Sequence, residues 1–389
     1  MEMHLRIKKI IVSVMGYFLL MAIFFCLAPP GPAEAAPISR ISAAKGLGFM
    51  SLVQRWDNKY VKKVVGQKFK NQKEVVGYYT KDWSSDNQSQ NSLHNAAENI
   101  TGVATFSYGL KPSGQLTGSP PKAALQTAWD NNIETLALIH NLSSSGFDRS
   151  LIHSVLTDPK LRTETVSSIY QTLIRNGFDG VNIDFENIPA GDRKALNAFM
   201  AELRKKLAPD GLKVTISVPA KTWDDPSNGW GAAFDYKKLA ESADRIMLMT
   251  YDEHYIGGHP GPVASNPWVE KVITYSSGLI PTDKLMLGIG NYGYDWIINS
   301  RGYQSVPAKN AIPMAQKYGA SIEWDSVNQT PFFYYWKNNQ KHVVWFESPE
   351  SAAFKLNLVN KYDLKGIAIW RLGFESPGFW NLVSDKLNK

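Results

Sequence analysis

Two acids stand two residues apart in the segment Asp179-Gly180-Val181-Asn182-Ile183-Asp184-Phe185-Glu186. Read as a β-strand, its side chains alternate between two faces. Val181, Ile183 and Phe185 fall on one face, and Asn182, Asp184 and Glu186 on the other. Burying two neighbouring carboxyl groups is expensive, because each opposes the other's ionisation. The same opposition raises a carboxyl pKa and lets one member keep its proton, as a general acid must. The pattern therefore suits protonation of a leaving oxygen. The alternative is a structural pair bonded to backbone.

Other chemistries find little support. The seven histidines show no HExxH or similar ligand spacing, so no metal and no cofactor is expected. The single cysteine, Cys26, lies in an apolar N-terminal run, which leaves no thiol nucleophile and no disulfide framework for the rest of the chain.

A strand carrying inward acids needs a scaffold that gives it an inside. From residue 74 onward, short β-rich runs alternate with helical periods. The runs are 75–80, 102–108, 135–140, 180–186, 213–219, 245–251, 285–292 and 366–371. Eight such runs predict an α/β fold, a parallel (β/α)8 barrel whose active site lies at the C-terminal strand ends. Glu186 would then sit at that mouth. A doubly wound open sheet is the competing architecture, but its usual glycine-rich phosphate turn is missing after the first run, where Lys81-Asp82-Trp83-Ser84 follows. Two helices are clear from their apolar faces. One carries Val166, Ile169, Tyr170, Leu173 and Ile174 and stops at Gly177. The other carries Leu196, Phe199, Met200, Leu203 and Leu207. Roughly 70 residues separate the seventh and eighth runs, far more than one helix and two loops need. A small β-rich insertion, about 297–346, is expected there, with 332–336 and 342–346 as strands and most of its aromatics in its own core.

The N-terminus reads as an export signal. Arg6, Lys8 and Lys9 precede an uncharged apolar run, and Ala33-Glu34-Ala35 supplies a cleavage pattern. Residues 1–35 are expected to be removed, the alternative being an uncleaved membrane anchor. Secretion, or retention at the cell envelope, follows. The net charge of +7 is unevenly distributed. Residues 37–73 hold nine basic residues and one acid, whereas 74–389 hold thirty basic and thirty-two acidic ones. The arm over 36–73 is either a solvated lead-in or a patch attracted to an anionic wall polymer. Nucleic acid is not an expected partner of an exported chain, and nothing in the sequence specifies an oligomeric state.

The segment 179–186 resembles the D-x-x-D-x-D-x-E signature of glycoside hydrolase family 18, the chitinase-like hydrolases. Met249-Thr250-Tyr251-Asp252, Tyr292-Gly293-Tyr294-Asp295-Trp296 and Trp370 resemble the family's motifs on the sixth, seventh and eighth strands. Met249 to Tyr255, followed by Pro260-Gly261-Pro262, is most similar to the bacterial spore-cortex-fragment-lytic N-acetylglucosaminidases, without recognisable LysM wall-binding modules. The resemblance implies a retaining, substrate-assisted reaction on N-acetylated glycan, most plausibly peptidoglycan, with chitin oligosaccharides as the alternative. It implies Glu186 as acid and then base, and Asp184 as the carboxylate orienting the 2-acetamido group. Tyr251 would donate to the acetamide oxygen, and Trp370 would form the floor beneath the sugar. Asp252 is either a sugar contact or a loop-ordering group. Tyr292 lines the cleft or packs the core, Asp179 buttresses the strand, and Tyr78 and Phe106 are read as packing. Asn182 replaces the usual middle Asp, which argues against a proton relay through that position. A non-catalytic glycan-binding protein is the third reading, opposed by the presence of the acid.

Overall fold

The computed structural model describes residues 73–387, Arg301 excepted. The expected signal, and the arm apart from Lys73, lie outside the described residues. Eight parallel strands form the barrel: β1 Glu74–Tyr79, β2 Gly102–Leu110, β3 Glu134–His140, β4 Gly180–Asp184, β5 Lys213–Pro219, β6 Arg245–Met249, β7 Leu285–Gly290 and β8 Gly366–Trp370. Each pairs with its neighbours, and β1 pairs with both β2 and β8, so the sheet closes. Closure excludes the open doubly wound alternative.

Alternation along the strands builds two cores. Outward residues such as Val181, Ile183, Val214, Ile216, Ile246, Leu248, Leu287, Ile289 and Ile367 pack against the helices. Inward residues Val76, Ala104, Leu136, Leu138, Met247, Met286 and Ala368 fill the barrel with Tyr78. The helices form as their patterns dictate. Asp158 caps Pro159–Asn176 by accepting from the Lys160 and Leu161 amides, and Gly177 ends that helix at φ 72°, where a side chain would be strained. Arg193–Leu207 buries all five of its expected apolar positions. Among the described residues no helix is long and apolar enough to cross a membrane.

Several expected strands end early. The runs 180–186, 245–251 and 285–292 stop at Asp184, Met249 and Gly290. Tyr292 instead opens Tyr292–Ile297, the second strand of a five-stranded antiparallel sheet whose other strands are Tyr303–Pro307, Gln340–Phe346, Thr330–Lys337 and Ile322–Asp325. The insertion also holds a helix, Ala308–Lys317, which packs with Phe333, Tyr335, Val344 and Phe346. Asn338 and Asn339, both at positive φ, turn its central hairpin. Tyr334 and Trp336 on that hairpin remain exposed.

A charge cluster fastens the barrel floor. Arg245 on β6 is buried and reaches two strands, bonding Glu74 on β1 through Nε and Glu134 on β3 through Nη1 at 2.6 Å. Burial pushes the Glu74 carboxyl up, but the charges and hydrogen bonds of Arg245 and Lys365 together outweigh it and hold the pKa below the usual range. Removing one partner of a buried ion cluster strands the other charges at a cost of about 3 kcal/mol. Arg245→Met is therefore expected to lose about that much stability in urea unfolding at pH 7. Because the floor lies at the far end of the strands from Glu186, kcat/KM at 25 °C should be retained.

Candidate active site

Strand β4 delivers Asn182 and Asp184 into the barrel, both buried. Asn182 is wholly enclosed, and both ends of its amide are bonded. Thr215 Oγ1 donates to its Oδ1 at 2.8 Å, and its Nδ2 donates to Ser217 Oγ at 2.9 Å. Ser217, also on β5, lies 2.9 Å from the Tyr78 hydroxyl and bonds the Asp184 carboxyl as well. A hydroxyl has one proton and two acceptor lone pairs. Since Ser217 accepts from Asn182, its own proton is available to Asp184. The Tyr78 hydroxyl also reaches Met247 Sδ at 3.0 Å.

Burial dominates the electrostatics. It pushes the Asp184 carboxyl up to about 7, against the pull of the Ser217 hydrogen bond. Glu186 is raised well above the ordinary carboxyl range, first by desolvation and then by the charges of Asp184 and Asp252. At near-neutral pH Glu186 can hold a proton and give it up to a bound oxygen.

Glu186 lies beyond the end of β4, so ladder hydrogen bonds do not hold it. Asn141, one residue past β3, takes their place. Its Oδ1 accepts the Glu186 amide at 2.9 Å, and its Nδ2 donates to the Glu186 carbonyl at 2.9 Å. A side-chain amide thus imitates one more strand pair, and Asn187 then turns the chain away at φ 55°. The carboxyl stays half-buried at the mouth.

Tyr251 follows β6 and is half-buried. A Cβ on Gly290 would stand 3.1 Å from the Tyr251 Cβ and 2.8 Å from the Tyr292 ring, so only glycine leaves space for both tyrosines. Burial, then the proximity of Tyr78, Asp184, Glu186 and Asp252, raises the Tyr251 pKa and keeps its hydroxyl a donor. Asp252 sits at φ 61° with exposed surface, yet its Oδ1 accepts from Tyr292 at 2.5 Å and Tyr294 at 2.7 Å. Tyr292 is buried and meets Tyr251 edge-on at 6.1 Å. Trp370 closes β8, followed by a cis peptide bond to Arg371. Its indole is half-buried and rests edge-on against Tyr78 at 5.5 Å and Phe106 at 5.9 Å.

Asp184, Glu186, Tyr251 and Asp252 thus share one electrostatic environment, with Asn182 beneath Asp184 and Tyr292 behind Asp252. Asp179 lies elsewhere. At the N-terminal end of β4, its Oδ2 accepts from the Thr135 amide at 2.9 Å and hydroxyl at 3.0 Å. Sequence reasoning missed Asn141, Thr215, Ser217 and Tyr294, and treated Tyr78 only as packing. The one available signal for Asn141 was its place directly after a strand.

The family model for glycosyl hydrolases family 18 matches residues 60–375. The putative sporulation-specific glycosylase YdhD of Bacillus subtilis is 35% identical over 300 residues, covering 75% of this chain and 70% of that protein. The cortical fragment-lytic enzyme of B. subtilis is 33% identical over 305 residues, covering 77% and 70%. A chitinase structure from Chromobacterium violaceum superposes with a TM-score of 0.76 at 29% identity, over 82% of this chain and 99% of that one.

The raised Asp184 pKa has a consequence for stability. Between about pH 4 and 7 the unfolded chain has released the Asp184 proton while the folded chain retains it. The folded state binds more protons, so this group's contribution to stability falls as pH rises through that window. Asp184→Asn keeps the shape and removes the ionisation. Its thermal midpoint should exceed that of the wild type at pH 7.5 and converge on it near pH 4, as calorimetry across that range would record.

Proposed function

The chain belongs to glycosyl hydrolases family 18, and on that premise we propose that it cleaves β-linked, N-acetylglucosamine-containing glycan with retention of configuration, using the substrate's own acetamide as nucleophile. The observation that carries this reading is the buried Asp184 beside a Glu186 held well above the ordinary carboxyl range. In the proposed reaction the protonated Glu186 donates to the glycosidic oxygen as the bond to the anomeric carbon breaks. The acetamide carbonyl oxygen attacks that carbon from the opposite face, giving a cyclic oxazolinium ion. Asp184 accepts the acetamide N–H and balances the developing positive charge. The Tyr251 hydroxyl donates to the acetamide oxygen and aligns it. Water then attacks the anomeric carbon as its bond to the acetamide oxygen breaks and the acetamide re-forms, while the Glu186 carboxylate takes the water proton and the acid is restored. Trp370 is the apolar floor, Asp252 a sugar-hydroxyl acceptor held by Tyr292 and Tyr294, and Asn182 the neutral support beneath Asp184.

For substrate, we favour peptidoglycan or spore cortex, supported by the sporulation-specific and cortical fragment-lytic relatives. A chitin oligosaccharide is the second reading, favoured by the chitinase that the chain matches over nearly its whole length. Export and a wall-directed role for the basic arm fit the first reading. Turnover of a defined muropeptide against chitin tetrasaccharide separates the two.

Glu186→Gln keeps size and hydrogen bonding but removes the transferable proton. Turnover should fall by about 10²–10⁴-fold with an unchanged circular dichroism spectrum. A folded variant with near wild-type rate would remove Glu186 from the acid's role. NMR of the earliest product should show the β anomer, and a sugar thiazoline, which mimics the cyclic intermediate, should inhibit competitively. Early α product would exclude acetamide participation.

A further inference from the structure

His140 closes β3 and faces the barrel interior. Leu136 and Leu138, four and two residues earlier, belong to the inner cluster, whereas Ala137 and Ile139 face the helices. Strand register pairs His140 with Asp184 on β4 and with Gly109 on β2. Side chains paired in parallel register project to the same face, so the imidazole stands beside the Asp184 position at the mouth.

The ring is held from several sides. Phe106 stacks on it with centroids 4.3 Å apart and planes 11° from parallel. A Cβ on Gly109 would come within 3.3 Å of its Cε1, so glycine makes room for the imidazole. Its Nδ1 accepts the Leu142 amide at 3.1 Å. A neutral imidazole whose Nδ1 accepts carries its proton on Nε2. Burial lowers the His140 pKa to about 4, so the ring is neutral wherever Glu186 can act as an acid. Among the described residues Nε2 has no hydrogen-bond partner, and the side chain is half-buried, not sealed. The fold therefore presents a rigid, uncharged N–H donor next to the carboxyl pair. Phe106, which positions it, also touches Trp370.

We propose that His140 contacts substrate, its Nε2–H donating to a hydroxyl oxygen of the N-acetylated sugar over Trp370 and fixing that sugar against Asp184 and Glu186. This rests on the hydrolase reading above. A neutral donor suits the position. A lysine or arginine there would favour ionised carboxyls and discharge the acid, whereas an apolar residue would leave the sugar oxygen desolvated and unpaired.

The test compares wild type, His140→Phe and His140→Gln on a soluble N-acetylglucosamine tetrasaccharide and its monodeoxy analogues. The Phe variant keeps the stack and loses the donor. It should show wild-type thermal stability, with kcat/KM about tenfold lower, mainly through KM. The Gln variant keeps an amide donor and should recover most of that loss. One monodeoxy analogue should cost the wild type about tenfold and cost the Phe variant nothing further. Unchanged kcat/KM in the Phe variant, or additive losses for every analogue, would overturn the assignment. Should the Phe variant not fold, His140→Leu serves in the same comparison. A wild type inactive on the parent tetrasaccharide and on muropeptide alike would sink the hydrolase reading and this inference together. An active wild type matched by the Phe variant would sink only the inference.

Discussion

Burial raises the cost of ionising both Asp184 and Glu186 at the end of a barrel strand, and the charge of Asp184 raises it further for Glu186. Such a pair survives only with partners that leave its protons in place. The groups bonded to it or supporting it are neutral, namely the Ser217 hydroxyl, the Asn182 and Asn141 amides and the Tyr78 phenol. Elsewhere the same chain treats buried acids differently. Glu74 and Glu134 share Arg245, which holds Glu74 below the usual carboxyl range together with Lys365. A cation close by stabilises a carboxylate and discharges an acid. The groups bonded to Asp184 are neutral dipoles, whereas Glu74 and Glu134 share a cation, and that difference separates the reactive acid pair from the ion cluster at the barrel floor.

That difference follows from how the barrel is filled. Its interior is packed by Val76, Ala104, Leu136, Leu138, Met247 and Met286, which crowd water out around the polar groups. Asn182, Thr215 and Ser217 form a polar layer across β4 and β5, in register with Leu138 and Met247 on the flanking strands, and satisfy one another. Asp184, level with Ser217, and then Glu186 follow toward the mouth. The apolar filling makes ionisation costly, and the hydroxyl–amide layer orients the acids without supplying charge. Each part has little chemical value without the other.

What could be read in advance was whatever depends on period. Val181, Ile183 and Phe185 fell outward and Asn182 and Asp184 inward, because alternation leaves a strand no choice. The faces of Pro159–Asn176 and Arg193–Leu207 were legible for the same reason. What could not be read depends on residues far apart in the chain. Thr215 and Ser217 look like ordinary polar positions in a β-branched run until β4 is laid beside them. Asn141 is one polar residue after a strand until its two bonds to the Glu186 backbone are seen. The run 285–292 reads as one strand ending on Tyr292, yet the barrel strand ends at Gly290, Asn291 gives its amide to the Trp370 carbonyl at 2.7 Å, and Tyr292 opens the next sheet. Period says nothing about where a ladder changes partner.

Asn182 shows how one atom type can be decided by its neighbours. An aspartate there would have to accept at both oxygens. Thr215 could still donate to one, but the other would claim the single proton of Ser217, which now goes to Asp184. Asp184 would lose its donor while gaining a like charge two residues away, and both changes push its pKa upward. The amide reverses this at no cost in shape. It gives a hydrogen to Ser217, which frees the serine proton for Asp184. A carboxyl at 182 would have to be protonated, or share a proton with Asp184, to do the same. The amide settles that choice in advance, so Asp184 is oriented by a fixed chain of neutral donors, and both proton transfers of the proposed reaction pass through Glu186.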